Sequence, residues 1–524
     1  LGHSSTLQAG QSVPPGQSWH GCPAEPTQVD YRTVPPAPGS PARKLVYGLV
    51  QVLGVLLVGV PVVFTATVLL LRNMPNLIVL ADPTGHSGAA PGPWSLYLAI
   101  VVMVGVVFAG GLLLRLVGLV TLPRVLNLVL TPGRVYPLYG LAYLALAAIT
   151  RLTNSRFLVL LLGDSSFIVG YLRALGYQLN PVLQTGSNFG TEIRHDTPYL
   201  TRIGTGTMVS DGLSVMNADY SNTSFRVSHV TVGEHNFLGN NIAYPAGARV
   251  GANVLLATKV MVPIDGPVRT DTGLLGSPPF EIPRGSAREG EHDPLADLEH
   301  IRPQLAAKNR HNAMSMVLVL FIRYLQLLGT VLLAAVALGY YPRFGGLAIA
   351  AATVAGLVFN AVYAALAERA VRGFRPLTPK NCSIYERYFW SHELLWKVYT
   401  RPVFTGTPVN PMLWRLAGVR MGRRVFDDGV AIPEKSLTTI GDDTVLNAGA
   451  VLQGHSLEDG LFKSGYTRIG AGCTIGTNAF VHYGVTMGDA AVLETDAFLM
   501  KGSEVGPGEW WRGNPAEEAP RSHR

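Results

Sequence analysis

Charge is scarce in this sequence. Asp, Glu, Lys and Arg make up 14% of the 524 residues, against 48% hydrophobic ones. Soluble domains carry about a quarter charged residues, so this balance excludes a wholly water-exposed protein and predicts membrane segments. Cysteine is scarcer still. Cys22, Cys382 and Cys473 stand alone with no CxxC pair, which excludes a disulfide framework and a cysteine zinc site. His229 and His235 have no Cys or carboxylate at ligand spacing, so no metal centre is expected. The absence of a GxxxxGK[ST] loop excludes phosphate-loop nucleotide chemistry. The net charge of +7 is spread out, with no long basic run. Nucleic acid is therefore not expected as a partner.

What the sequence does contain is a period of six. Ile469, Ile475, Val481, Met487, Leu493, Leu499 and Val505 form a ladder, which upstream runs through Ile440, Leu446 and Leu452. A helix repeats near 3.6 and a strand at 2, so one aliphatic residue per six marks a parallel β-helix of hexapeptide repeats, the left-handed kind. A second ladder consists of Ile203, Val209, Val215, Val232, Leu238, Tyr244, Val250, Leu256 and Val262, each 237 residues before a rung of the first. The interruptions match as well: Met216 to Thr231 corresponds to Gln453 to Arg468. Leu7 to Glu25 aligns without a gap onto Leu499 to Glu517, 492 residues later. Residues 1–27 therefore read as the end of a further β-helix. The first residue is Leu1 and no signal peptide follows, so the chain is expected to start inside a longer protein.

Between the ladders lie apolar runs at 45–71, 94–114, 317–341 and 346–366, each near the roughly 20 residues that cross a bilayer. The expected order is a β-helix remnant at 1–27, a Pro-rich linker at 28–44, and a membrane hairpin with interfacial helices at 45–162. A second β-helix at 163–284, a linker at 285–312, a second hairpin with interfacial helices at 313–401, a third β-helix at 402–516 and a tail at 517–524 complete it. The fold class is thus a mixed membrane protein in which tandem left-handed β-helices alternate with transmembrane hairpins. The turns are expected at 73–93 and at Pro342-Arg343-Phe344. Arg43, Lys44, Arg115, Arg124, Arg134, Lys308, Arg310, Arg369, Arg372 and Arg375 flank the membrane on the β-helix side, against Arg72 and Arg343 at the turns. By the positive-inside rule the protein is a multi-pass plasma-membrane protein with cytoplasmic β-helices and membrane lipid as a partner. Arg323, near the start of an apolar run, is expected to snorkel to the interface.

His455 ends a rung where the chain leaves the prism, in Leu446-Asn447 through Gln453-Gly454-His455-Ser456-Leu457-Glu458-Asp459. An imidazole there can take a proton from an attacking hydroxyl or amine, with Glu458 or Asp459 as its orienting carboxylate. The second copy has Ala218 at the matching position, between Asn217 and Asp219, two possible substrate-binding residues. It is therefore not an equivalent active site. His195, His229 and His235 are further candidates there, and ordinary turn or solvent histidines are the plainer reading. His482, after rung Val481, can point out of the prism toward a neighbouring domain.

Together the ladders, the apolar hairpins and the segments Asp196-Thr197-Pro198-Tyr199-Leu200, Ser224-Phe225-Arg226-Val227 and Gly454-His455-Ser456-Leu457-Glu458-Asp459 resemble a known family. They look like the C-terminal membrane region of poly(amino acid) synthetases of the ε-poly-L-lysine synthetase type (the Pls/PosA family of nonribosomal peptide synthetases). The resemblance implies six membrane segments around three tandem acyltransferase-like domains; four are visible here. It implies upstream adenylation and carrier domains, an amino-acid substrate, and a phosphopantetheine-linked aminoacyl donor, with no cofactor bound by this segment. It also implies His455 as base and an intrachain pseudo-trimer of β-helices. Two other readings stand beside it: a stand-alone membrane O- or N-acyltransferase using coenzyme A thioesters, and a non-catalytic scaffold or export element.

Overall fold

The computed structural model describes residues 1–73, 93–179, 189–284, 298–398 and 404–519, apart from Ala9, Thr33 and Asp459. The C-terminal ladder folds as three parallel stacks. Ile440 pairs with Ile469, Ile469 with Met487 and Met487 with Val505. Leu446, Ile475, Leu493 and Trp511 form the second stack, and Leu452, Val481 and Leu499 the third. Every third rung therefore returns to the same sheet, and the three sheets face one aliphatic core. The upstream ladder does the same, stacking Ile203 on Val232, Val209 on Leu238 on Leu256, and Val215 on Tyr244. All rungs of both ladders are 7% exposed or less, which is what a six-residue period with one inward side chain requires. Corner residues such as Asn478 (φ 55°) and Asp496 (φ 61°) sit in the left-handed region, which short polar side chains tolerate.

Each ladder is interrupted by an antiparallel excursion. Ala218–Tyr220 pairs with Ser224–Val227, and His455–Glu458 with Leu461–Ser464. A third strand joins each from the segment preceding its β-helix, Val135–Pro137 and Asn381–Ser383 respectively. Short helices close the prism ends: Phe167–Leu175 packs on the upstream core, and Trp414 of Val409–Ala417 on the downstream one.

Three equivalent turns meet where residues 1–27 touch both ladders. Cys22 N–H donates to Ser277 O (2.7 Å), Ser277 N–H to Asn514 O (2.9 Å), and Asn514 N–H to Cys22 O (3.2 Å). The three residues align at the 237- and 492-residue offsets, so the ring is a closed threefold arrangement of backbone bonds within one chain. Next to it, the equivalent positions Lys259 and Asp496 form an ion pair, and Asn514 Nδ2 donates to Lys259 O at 2.7 Å.

The helical parts differ from the sequence reading in extent. The helix expected to end at Leu114 runs from Pro93 to Asn127 with Pro123 inside it. Pro123 removes the single N–H bond that would reach the Leu119 carbonyl, and the helix continues past it for four residues. Its end docks on the upstream β-helix through Leu112, Leu116 and Leu119. Likewise much of the expected 285–312 linker is helix, since Leu298–Phe344 is continuous; residues 285–297 and the 74–92 connection lie outside the described residues. The second hairpin turns at Gly345 (φ 54°) rather than at Pro342. Among the described residues, five segments are long and apolar enough to cross a membrane: 41–69, 94–127, 141–162, 302–344 and 346–371. The third is 44% buried within the protein and is broken at Asn154-Ser155, whereas the first is 0% buried. Such bare apolar helices need an apolar surrounding. Arg323 donates to Gln326 Oε1 (3.1 Å) and to the carbonyl of Val398 (3.2 Å).

Candidate active site

His455 opens the excursion strand, and a rung upstream brings its partner. Nδ1 of His455 donates to Glu434 Oε1 at 2.7 Å. The same oxygen accepts Trp396 Nε1–H at 2.8 Å, and Oε2 accepts the Gly454 N–H at 2.8 Å. Glu434 is fully buried. A Cβ at position 454 would come within 2.9 Å of Glu434 Cβ, so glycine there lets the carboxylate lie against the backbone. The His455 ring stacks on Trp396 (4.5 Å between centroids, 26°) and lies beside Phe462 (5.6 Å, 27°), and these two neighbours are themselves 6.2 Å apart. With Nδ1–H committed to Glu434, Nε2 keeps its lone pair. Gln453 Nε2 lies 3.4 Å from it and donates to the His455 carbonyl at 3.1 Å.

The electrostatics follow from burial and pairing. Burial presses the Glu434 carboxyl toward its neutral form, but the His455 charge and hydrogen bond, His392 and Trp396 Nε1–H overcome it and hold it down at about 2. Burial likewise disfavours the His455 imidazolium. The Glu434 charge and hydrogen bond, with Asp211 and Asp164 beyond, outweigh that and raise it above the ordinary imidazole value. Buried histidines lacking such a carboxylate go the other way: burial lowers His392 to about 4 and His482 to about 3.

Asp211 belongs to the upstream β-helix and Asp164 to the segment before it, so the site lies between the two prisms. Asp211 Oδ1 accepts the Thr191 N–H (2.5 Å) and hydroxyl (2.9 Å). Burial, then the charges of Asp211 and Glu393, push Asp164 up to about 8 against Lys397 and Lys308. Glu393 pairs with Lys308, which also donates to Asp164 O at 2.9 Å. Lys397 is fully buried, and its Nζ has no hydrogen-bond partner among the described residues.

The other expected residues are placed elsewhere. Glu458 pairs with Lys501 at 3.2 Å on the surface and does not touch His455, because it sits three residues farther along the hairpin. Glu434 holds the orienting position instead. Asp459 lies outside the described residues. His195 is buried, with Nδ1 against Tyr177 Oη (2.9 Å) and Nε2 against Thr153 Oγ1 (2.8 Å), and burial lowers it to about 3. Asn217 braces its own loop through Leu200 O (3.2 Å), and Asp219 pairs with Arg226 across the hairpin (3.6 Å). His229 is exposed, and His235 is an exposed corner residue (φ 55°). His482 is buried, its Nδ1 accepting the Tyr483 N–H at 3.0 Å. Among the described residues no group of three His, Cys, Asp or Glu is arranged to hold a metal.

Sequence reasoning missed Glu434, Trp396, Asp211 and Asp164. A signal for the first was present: 237 residues before Glu434 stands Thr197, so the second copy lacks both members of the pair. Asp196 Oδ2 accepts the Ala218 N–H there at 2.9 Å, much as Glu434 holds Gly454.

Comparison with known proteins finds similarity first within the C-terminal repeat. The hexapeptide repeat of succinyl-transferase matches residues 466–499. Solved structures with related folds include a hexapeptide-repeat acetyltransferase of Vibrio cholerae (20% identical, covering 20% of this chain and 62% of that one, TM-score 0.19). Another is the serine acetyltransferase of Neisseria gonorrhoeae in complex with serine (15% identical, 41% and 75%, TM-score 0.20). The particular relative is the delta-poly-L-ornithine synthetase of Acinetobacter baumannii (strain AB307-0294), 24% identical over 332 residues. That match covers 61% of this chain and 24% of the relative's length. It agrees with the resemblance to poly(amino acid) synthetases drawn from the sequence.

Proposed function

We propose that this chain is the membrane-bound acyltransferase region of a poly(amino acid) synthetase, joining amino-acid monomers by amide bonds. The observation that carries the reading is the buried Glu434–His455 pair at 2.7 Å, whose carboxylate outweighs burial and raises the imidazole. Glu434 fixes the ring so that Nε2 is the free base. His455 Nε2 takes a proton from the substrate ammonium, and the freed amine attacks the carbonyl carbon of an aminoacyl thioester. The C–N bond forms, the C–S bond breaks, and the sulfur leaves as a thiol after taking a proton. The buried Glu434 carboxylate, held in its charged form, gives the site a negative character that suits an ammonium-bearing acceptor better than a sugar hydroxyl.

In this reading the donor is a phosphopantetheine thioester on a carrier domain outside this chain. Left-handed prisms sit about the Cys22–Ser277–Asn514 axis as a pseudo-trimer, and the C-terminal copy carries the working site because it keeps the His and Glu that the second copy lacks. The apolar helices anchor the assembly as a multi-pass plasma-membrane protein with the β-helices in the cytoplasm. The alternative donor is a coenzyme A thioester. The test supplies the purified whole protein with radiolabelled amino acid and ATP, or with aminoacyl-coenzyme A alone. Amide product from the first arm supports the carrier-thioester reading; product from the second arm only overturns it.

A further inference from the structure

Between the helices Leu298–Phe344 and Gly346–Val371 and the short helix Val409–Ala417 lies a cavity of about 700 Å³. Its long wall is one stripe of the second helix, Ile349, Thr353, Gly356, Asn360 and Ala364, which spans about 22 Å at 1.5 Å per residue. That is most of a bilayer's hydrocarbon core of about 30 Å. One polar track crosses the cavity and is satisfied internally. Gln326 Nε2 donates to Asn360 Oδ1 (2.9 Å), and Asn360 Nδ2 to Thr330 Oγ1 (3.0 Å). A Cβ placed on Gly356 meets nothing within 4 Å, so the space beside it is open.

A second, smaller cavity of about 130 Å³ adjoins it, with Glu368, Ala417 and Lys435 as shared walls. Here the lining changes to Arg369, Arg372 and Arg375 at the end of the apolar helix. Glu368, the acid among the lining residues, is already paired with Lys435 at 2.7 Å, so the three guanidinium charges are uncompensated within the pocket. Arg372 Nη1 is buried and has no hydrogen-bond partner among the described residues. An apolar slot along the two long apolar helices, with three arginines in the adjoining cavity at its end, matches one kind of molecule in both halves, acyl chain to slot and phosphate to guanidinium.

We infer that the two cavities form a binding site for one anionic phospholipid. The inference rests on the membrane reading of these helices and is independent of the acyl-transfer reading. The basic half is also walled by Pro433 and Lys435, the chain neighbours of Glu434, so the bound headgroup stiffens the segment that carries the carboxylate of the active site.

The test uses the whole protein in detergent, stripped of lipid, with bound lipid counted by native mass spectrometry and thermal unfolding followed in parallel. Phosphatidylglycerol should bind once per chain and raise the unfolding temperature; phosphatidylcholine and inorganic phosphate should do neither. The triple variant R369Q/R372Q/R375Q should weaken phosphatidylglycerol binding about a hundredfold, at about 1 kcal/mol per arginine. Gly356→Leu, which fills the slot and leaves the arginines in place, should weaken it as well while unfolding cooperatively. Equal binding of phosphatidylcholine, undiminished binding by the triple variant, or a stability gain from inorganic phosphate alone would overturn the site. A protein that stays in solution without detergent would instead sink the membrane reading beneath it.

Discussion

Replacing Glu434 by Gln is the most informative perturbation of the site, because the side chain keeps its shape and loses its charge. The carboxyl is fully buried yet held at about 2, against an ordinary 4.5. At about 1.4 kcal/mol per unit, the pairing favours the charged form by about 3 kcal/mol, and the same coupling acts on His455. Without it, burial alone governs the imidazole, as it does for His392 and His482. The pH–rate profile of amide formation by the wild type should therefore rise through a limb above the ordinary imidazole value. In E434Q that limb should move below it, and the alkaline plateau should drop at least tenfold, because a weaker base in a less fixed ring transfers protons more slowly. The stability sign follows from the lowered carboxyl: the contribution of Glu434 is present above pH 4.5 and is lost as pH falls from 4.5 toward about 2. The stability gap between wild type and E434Q should close over that range in a denaturant series. An unmoved limb with an unchanged plateau would refute the assignment of Glu434 as the residue that tunes His455.

Other substitutions separate the site from its scaffold. Glu458→Gln should leave product formation within about twofold, since its partner Lys501 is a half-exposed surface cation and such pairs contribute little. Leu493→Ala, in a fully buried rung, should lower stability by about 2–5 kcal/mol in chemical unfolding. Lys259→Asp puts like charges at two equivalent positions beside the threefold ring and should lower the unfolding temperature; the swap K259D/D496K should recover much of the loss, because the ion pair re-forms reversed.

The rungs were legible because a prism interior admits one aliphatic side chain per face, and that constraint prints a period of six on the sequence. His455 was legible because it breaks the repeat where its copy keeps Ala218. Its partner was not. Glu434 lies 21 residues upstream and returns only because the chain has wound past the intervening faces, a register that local spacing does not display. Asp211 and Asp164 arrive from another prism, so no motif within the C-terminal repeat could name them. The helix ends were misread for a related reason. The apolar run was read to Leu114 and Lys308 and Arg310 fell in the expected linker, yet Lys308 is buried through its pairing with Glu393 and the Asp164 carbonyl. Partners in space override the local signal.

The most direct measurement of the central claim is single-turnover amide formation by the whole protein carrying His455→Ala, with amino-acid activation and carrier loading measured in the same sample. A general base contributes about 10²–10⁴ in rate. The variant should therefore load its carrier at the wild-type level and form product at least a hundredfold more slowly. Wild-type product formation by His455→Ala would contradict the account.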